Sequence, residues 1–108
     1  MSRYEKLFAA GEGAFVPFIM LSDPTPEDAV EIVSAVVDAG ADAVELGVPF
    51  SDPVADGHAI QGAHVRALAG GATVDKALAQ IRTIRERYPD LPIGMLVYGN
   101  VAHARGLE

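Results

Sequence analysis

Three carboxylates within a dozen residues supply the first chemistry in this chain: Glu45 in Ala43-Val44-Glu45-Leu46-Gly47-Val48, then Asp52 and Asp56 in Pro49-Phe50-Ser51-Asp52-Pro53-Val54-Ala55-Asp56-Gly57. Side chains alternate along an extended strand, so Val44, Leu46 and Val48 share one face while Ala43, Glu45 and Gly47 share the other. The branched face packs on helices. The opposite face carries an acid between two residues with little or no side chain, which leaves room for a ligand beside it. A carboxylate withdrawn from water holds its proton more tightly and can both give and take one near neutrality. Glu45 is therefore a candidate general acid-base, the other reading being that it pairs with a buried cation from elsewhere in the fold. Asp56 either orients a donor on a ligand or holds its own loop through an Asx turn.

Other patterns carry less chemistry. Asp52-x-Val54-x-Asp56-Gly57 is superficially like a calcium loop, but Val54 takes the place of the middle ligand and Ala63 that of the closing Glu. His58 and His64 do not share a helix face well, so no metal pair is expected. Gly11-Glu12-Gly13 and Gly70-Gly71 match neither the dinucleotide fingerprint nor the P-loop, and no cofactor site is assigned. Ser51 has no base partner that would make it a nucleophile. His103 reads as a solvated loop residue.

The elements that position these groups follow from periodicity. Tyr4, Leu7 and Phe8 predict a short N-terminal lid helix ended by Gly11-Glu12-Gly13. Ala14 to Leu21 is an apolar run that reads as a strand buried on both faces. Thr25 as N-cap and Pro26 at the first helical position open a helix whose stripe is Val30, Val33 and Val37, with Gly40 at its left-handed end. The Glu45 strand and its loop come next. A helix over Ala59 to Ala69, ended by Gly70-Gly71, buries Ile60, Ala63 and Ala67. Thr73 caps another that runs to Tyr88 with a stripe of Val74, Ala77, Leu78, Ile81, Ile84 and Tyr88. Pro92 to Tyr98 forms a third strand in which Gly94, Leu96 and Tyr98 share a face. Strands alternating with crossover helices define an α/β chain with parallel strands and right-handed connections. Functional groups in such folds gather at the carboxyl ends of the strands. Glu45, the Asp52 to Asp56 loop, Phe18 with Met20, and Leu96 with Tyr98 are expected to meet there as one site, with Phe18, Leu96 and Tyr98 as either core or pocket wall.

At 108 residues with 50% hydrophobic content, the chain is one small domain or part of a larger one. Fifteen acidic residues against eight basic ones give a formal charge of -7, which argues against a nucleic-acid surface. The absence of cysteine excludes disulfides and thiolate metal sites. No apolar run of membrane-spanning length occurs, and the charged first residues are not followed by a signal-type segment, so a cytoplasmic setting is expected.

Arg3-Tyr4-Glu5 with Leu7-Phe8, Gly13-Ala14-Phe15-Val16-Pro17-Phe18, Asp23-Pro24-Thr25-Pro26, the long motif Glu45 to Gly57, and Pro92 to Tyr98 with Asn100 together resemble the N-terminal portion of the tryptophan synthase α chain family. The resemblance implies a (β/α)8 TIM-barrel lyase that cleaves indole-3-glycerol phosphate to indole and glyceraldehyde 3-phosphate without a cofactor. It implies that Glu45 is the general acid-base and that Asp56 binds the indole N–H. Phe18, Leu96 and Tyr98 match pocket-lining positions, and Asp52 and Pro53 match the part that touches a β-chain partner. The sequence departs from the family in a shorter lid segment, in His58 where proline is typical, and in Met20 and Ser22 where Thr and Gly are common. A complete barrel takes roughly 250 residues, whereas only about the first three βα units fit here, without the family's phosphate-binding loops. Open strand edges then imply self-association or pairing with a complementing fragment, and a non-catalytic assembly module is the alternative to a lyase.

Overall fold

The computed structural model describes residues 2–9, 11, 13–53 and 55–101. Glu12, Val54 and His103 lie outside these. Helix α1 covers Arg3–Ala9, strand β1 Phe18–Met20, helix α2 Ala29–Asp38, strand β2 Val44–Gly47, helix α3 His58–Ala69, helix α4 Val74–Arg87 and strand β3 Ile93–Leu96. The strands form one parallel sheet in the order β1-β2-β3.

Register fixes the two faces. Phe18, Glu45 and Gly94 stand in one row, and Met20, Gly47 and Leu96 in the row nearer the carboxyl ends. These rows form the inner face, as the alternation requires. On the outer face Val44 and Leu46 are fully buried with Val33 of α2 and Ala77 and Ile84 of α4. A smaller cluster joins Met20 to Ala63 and Ala67 of α3.

Several local expectations are modified. β1 has only three residues, and Phe15 and Val16, predicted inside a doubly buried strand, are 57% and 38% exposed. A strand at the sheet edge with helices on one side cannot bury both faces. Thr25 does not cap a backbone amide; its hydroxyl bonds Asp28, and a 3-10 turn over Pro26–Asp28 precedes α2. Thr73 does cap α4, accepting from the Lys76 amide at 3.1 Å. On α4 the predicted Leu78 is exposed, and Gln80 is buried in its stead because it bonds Ser22, at 2.9 Å through Nε2. Gly40 has the expected positive φ of 120°.

α1 is not a lid over the carboxyl ends. Arg3 Nε donates to the Pro89 carbonyl at 2.6 Å, in the turn that enters β3, and so ties the helix to the amino end of the sheet. Among the described residues none of its side chains is buried. No helix among these residues is long and apolar enough to cross a membrane.

Candidate active site

The inner face ends in an apolar hollow of about 270 Å³ at the carboxyl ends of the strands. Phe18 and Met20 of β1, Gly47 of β2 and Leu96 of β3 supply its floor and walls, and Tyr98 and Asp56 lie at its rim. Gly47 makes this shape: a Cβ there would stand 2.7 Å from Phe18 Cζ, so the Phe18 ring crosses directly over it. The room beside the small residues is thus shared between the hollow and Phe18, which reaches up from the lower row.

Asp56 is the best-defined polar group. Its Oδ2 accepts from the Tyr98 hydroxyl at 3.0 Å and faces His64 Nε2 at 3.0 Å. The same Tyr98 oxygen accepts from the Ala55 amide at 3.0 Å, so the loop after β2 is pinned to the segment after β3. Asp56 therefore does not serve an Asx turn of its own. The loop is held instead by main-chain groups, with Gln61 Nε2 donating to the Pro53 and Asp56 carbonyls at 3.2 and 2.8 Å. Burial pushes the Tyr98 phenol above its ordinary value; the Ala55 amide opposes this, and the Asp56 carboxylate adds to it.

His64 carries no ligand or chemical role in the sequence reading, which weighs it only as half of a metal pair. It is 3% exposed, and its Nδ1 accepts from the Phe50 amide at 2.9 Å. The signal for it is local: Ile60, Ala63, His64 and Ala67 occupy the i, i+3, i+4, i+7 positions of one helix face, so this imidazole lies on an apolar stripe. A polar residue there must find a partner. His58 is exposed and apart from this network.

Glu45 is placed differently from expectation. It is exposed, and it does not line the hollow. The physical reason is that among the described residues no layer lies opposite the inner face, so none of them removes the carboxylate from water. Its stem lies against Gly94, where a Cβ would be 3.5 Å from Glu45 Cγ and 3.1 Å from Tyr4 Oη. It points from the same face as the hollow, one row below, a separation of about 7 Å along the strand. Among the described residues no arginine pairs with it. Asp52 and Pro53 stand outside the hollow, in a separate shallow depression with Ser51, Gln61 and Val65.

Parallel strands with helices on the outer face and ligand-facing groups beyond the carboxyl ends define a segment of a (β/α) barrel. A chain from Aquifex aeolicus VF5 shares this fold with a TM-score of 0.92 and 36% identity, over 99% of this chain and 44% of that one. Tryptophan synthase subunit alpha from Legionella pneumophila matches with a TM-score of 0.89 and 36% identity, over 98% and 42% of the two chains. The family model for the tryptophan synthase alpha chain matches residues 4–108, and the chain belongs to that family. The tryptophan synthase alpha chain of Corynebacterium aurimucosum is 71% identical over all of this chain and 41% of its own length. That of Vibrio parahaemolyticus is 55% identical over all of this chain and 42% of its own. The chain thus spans about two fifths of these relatives.

Proposed function

We propose that this chain supplies the indole-binding wall and the acid-base group of a lyase that cleaves indole-3-glycerol phosphate by retro-aldol chemistry. The observation that carries the reading is the Asp56 carboxylate held at the rim of an apolar hollow by Tyr98 and His64. Flat apolar walls suit an aromatic ring, and one fixed carboxylate suits its N–H.

In the reaction, Glu45 as the acid gives a proton to C3 of the indole ring, and Asp56 faces the N–H as positive charge develops there. The bond from C3 to the glycerol chain then breaks. Its electron pair restores the aromatic ring, while the adjoining hydroxyl loses its proton to the Glu45 carboxylate and becomes the aldehyde. Protons balance, and the acid is regenerated. Family membership and the shared sheet face support the Glu45 role. Because Glu45 stands one row below the Gly47 row, substrate would reach downward past Phe18 to meet it.

The second reading, an assembly module, is favoured by the uncovered inner face, where Leu96 is 53% exposed. A β-chain partner meeting Asp52 and Pro53, and a cytoplasmic setting, belong to the same proposal. The tryptophan synthase complex from Pyrococcus furiosus, matched with a TM-score of 0.81 at 34% identity over 89% of this chain and 39% of that one, supports such a partner.

The deciding measurement is indole release from indole-3-glycerol phosphate by the chain mixed with a fragment supplying the remaining βα units of a relative. Release that Glu45→Gln lowers by at least about 100-fold supports the lyase. No release from a mixture shown to associate leaves the assembly module.

A further inference from the structure

His64 is a buried imidazole that the reaction does not use, and its two nitrogens face different groups. The Phe50 amide donates to Nδ1 at 2.9 Å, which requires a lone pair there. In the neutral ring the proton then sits on Nε2, which is 3.0 Å from Asp56 Oδ2 and donates to it. Tyr98 donates to the same oxygen at 3.0 Å. Its ring meets the imidazole edge-on with centroids 6.1 Å apart, and meets Phe50 at 5.0 Å. Both donors converge on Oδ2, and among the described residues no donor faces Oδ1.

We propose that His64 is the positioning residue of Asp56: its Nε2–H tautomer, set by the Phe50 amide, holds Oδ2 so that Oδ1 is presented to a ring N–H in the hollow. The expected ligand is a planar, neutral heteroaromatic with one N–H donor. This deepens the proposed function and rests on it for the identity of the ligand. The hydrogen-bond chain runs from the strand-end loop at Phe50 through α3 to Asp56, so one imidazole couples the loop's entry to its acidic tip. Two donors on one oxygen restrict carboxylate rotation more than either alone.

The test uses the unaltered chain and two variants. Two-dimensional NMR of the ring nitrogens is expected to show His64 as the Nε2–H tautomer; an Nδ1–H tautomer overturns the proposal without reference to any variant. Binding of indole and of benzofuran, which has oxygen in place of the N–H, is then compared. The unaltered chain is expected to prefer indole by about tenfold. His64→Leu should lose that preference while still binding benzofuran, and His64→Gln, whose amide donates from a similar position, should recover much of it. An indole preference that survives His64→Leu overturns the positioning role and leaves the indole reading intact. If no preference exists in the unaltered chain, but its tautomer is Nε2–H and His64→Leu shifts the Asp56 carboxyl carbon resonance, positioning stands and the indole reading falls.

Discussion

Asp56 concentrates the chemistry of the hollow on one carboxylate, and its neighbours make that carboxylate testable. Asp56→Asn keeps the shape but replaces the negative charge with an amide, so it should lower indole release in the complemented protein on the order of 100-fold. Loss of less than tenfold would remove Asp56 from the charge-stabilising role. The Tyr98 phenol, raised chiefly by burial, should stay protonated beyond the ordinary tyrosine value of about 10. A group whose folded value is raised adds stability that is complete below the unfolded value and disappears as pH climbs through the folded one. The Tyr98 contribution should therefore be intact at neutral pH and fade only in the alkaline range. In an ultraviolet titration of tyrosinate, Tyr98→Phe should delete a component that ionises above the ordinary value, and deletion of one at or below that value would contradict the assignment. Ser22 is a second informative residue: it is fully buried, has a φ of 68°, and bonds Gln80. Ser22→Ala keeps the left-handed strain and loses the bond, whereas Ser22→Gly loses the bond but relieves about 1 kcal/mol of strain. Thermal melts should rank Ala below Gly, and the reverse order would show that the strain is absent.

Elements are placed by a few close approaches. α3 starts from Gly57 and ends where a Cβ on Gly70 would overlap the Pro24 carbonyl oxygen. That oxygen belongs to backbone and cannot swing away as a side chain would. Gly70→Ala should consequently cost about 2 kcal/mol in unfolding free energy, and it should loosen the loop holding Asp56, since α3 also carries His64. A melting temperature equal to that of the unaltered chain would show that the approach is not tight. α4 is anchored by Ile84, fully buried between the sheet and α2. Arg66 of α3 adds a bidentate pair with Asp23, both bonds 3.0 Å long, which ties the helix to the turn after β1. These contacts lie on the outer side and at the β1 edge. They position the site without covering it.

At the scale of the molecule, the sheet is finished on one face only. Among the described residues β1 and β3 each pair on one side, and Phe15, Met95 and Leu96 are 57%, 47% and 53% exposed. Unpaired strand edges beside apolar side chains attract another chain. The chain should thus show a mass above the monomer by light scattering, with an unfolding midpoint that rises with concentration. The complementing fragment should displace that self-association. A monomer with a concentration-independent midpoint would rule it out.

The primary structure alone was enough for the parallel α/β class, the family, the split between branched and small faces of β2, the Thr73 cap and the Gly40 terminus. The family follows from a likeness of motifs spread over the chain, and the others depend on covalent geometry or on neighbours a few residues away: alternation along a strand, the helical repeat, and the torsional freedom of glycine. Exposure of Glu45, the ring of Phe18 over Gly47, and the His64, Asp56 and Tyr98 network were decided only by tertiary structure. Solvation of a carboxylate depends on which distant segments cover it, and the choice of partner for a buried imidazole depends on where two loops cross. Glu45 has the predicted face and neighbours, yet it meets water because none of the described residues closes over that face. Face is a local property of the chain, whereas burial is a property of what the chain meets.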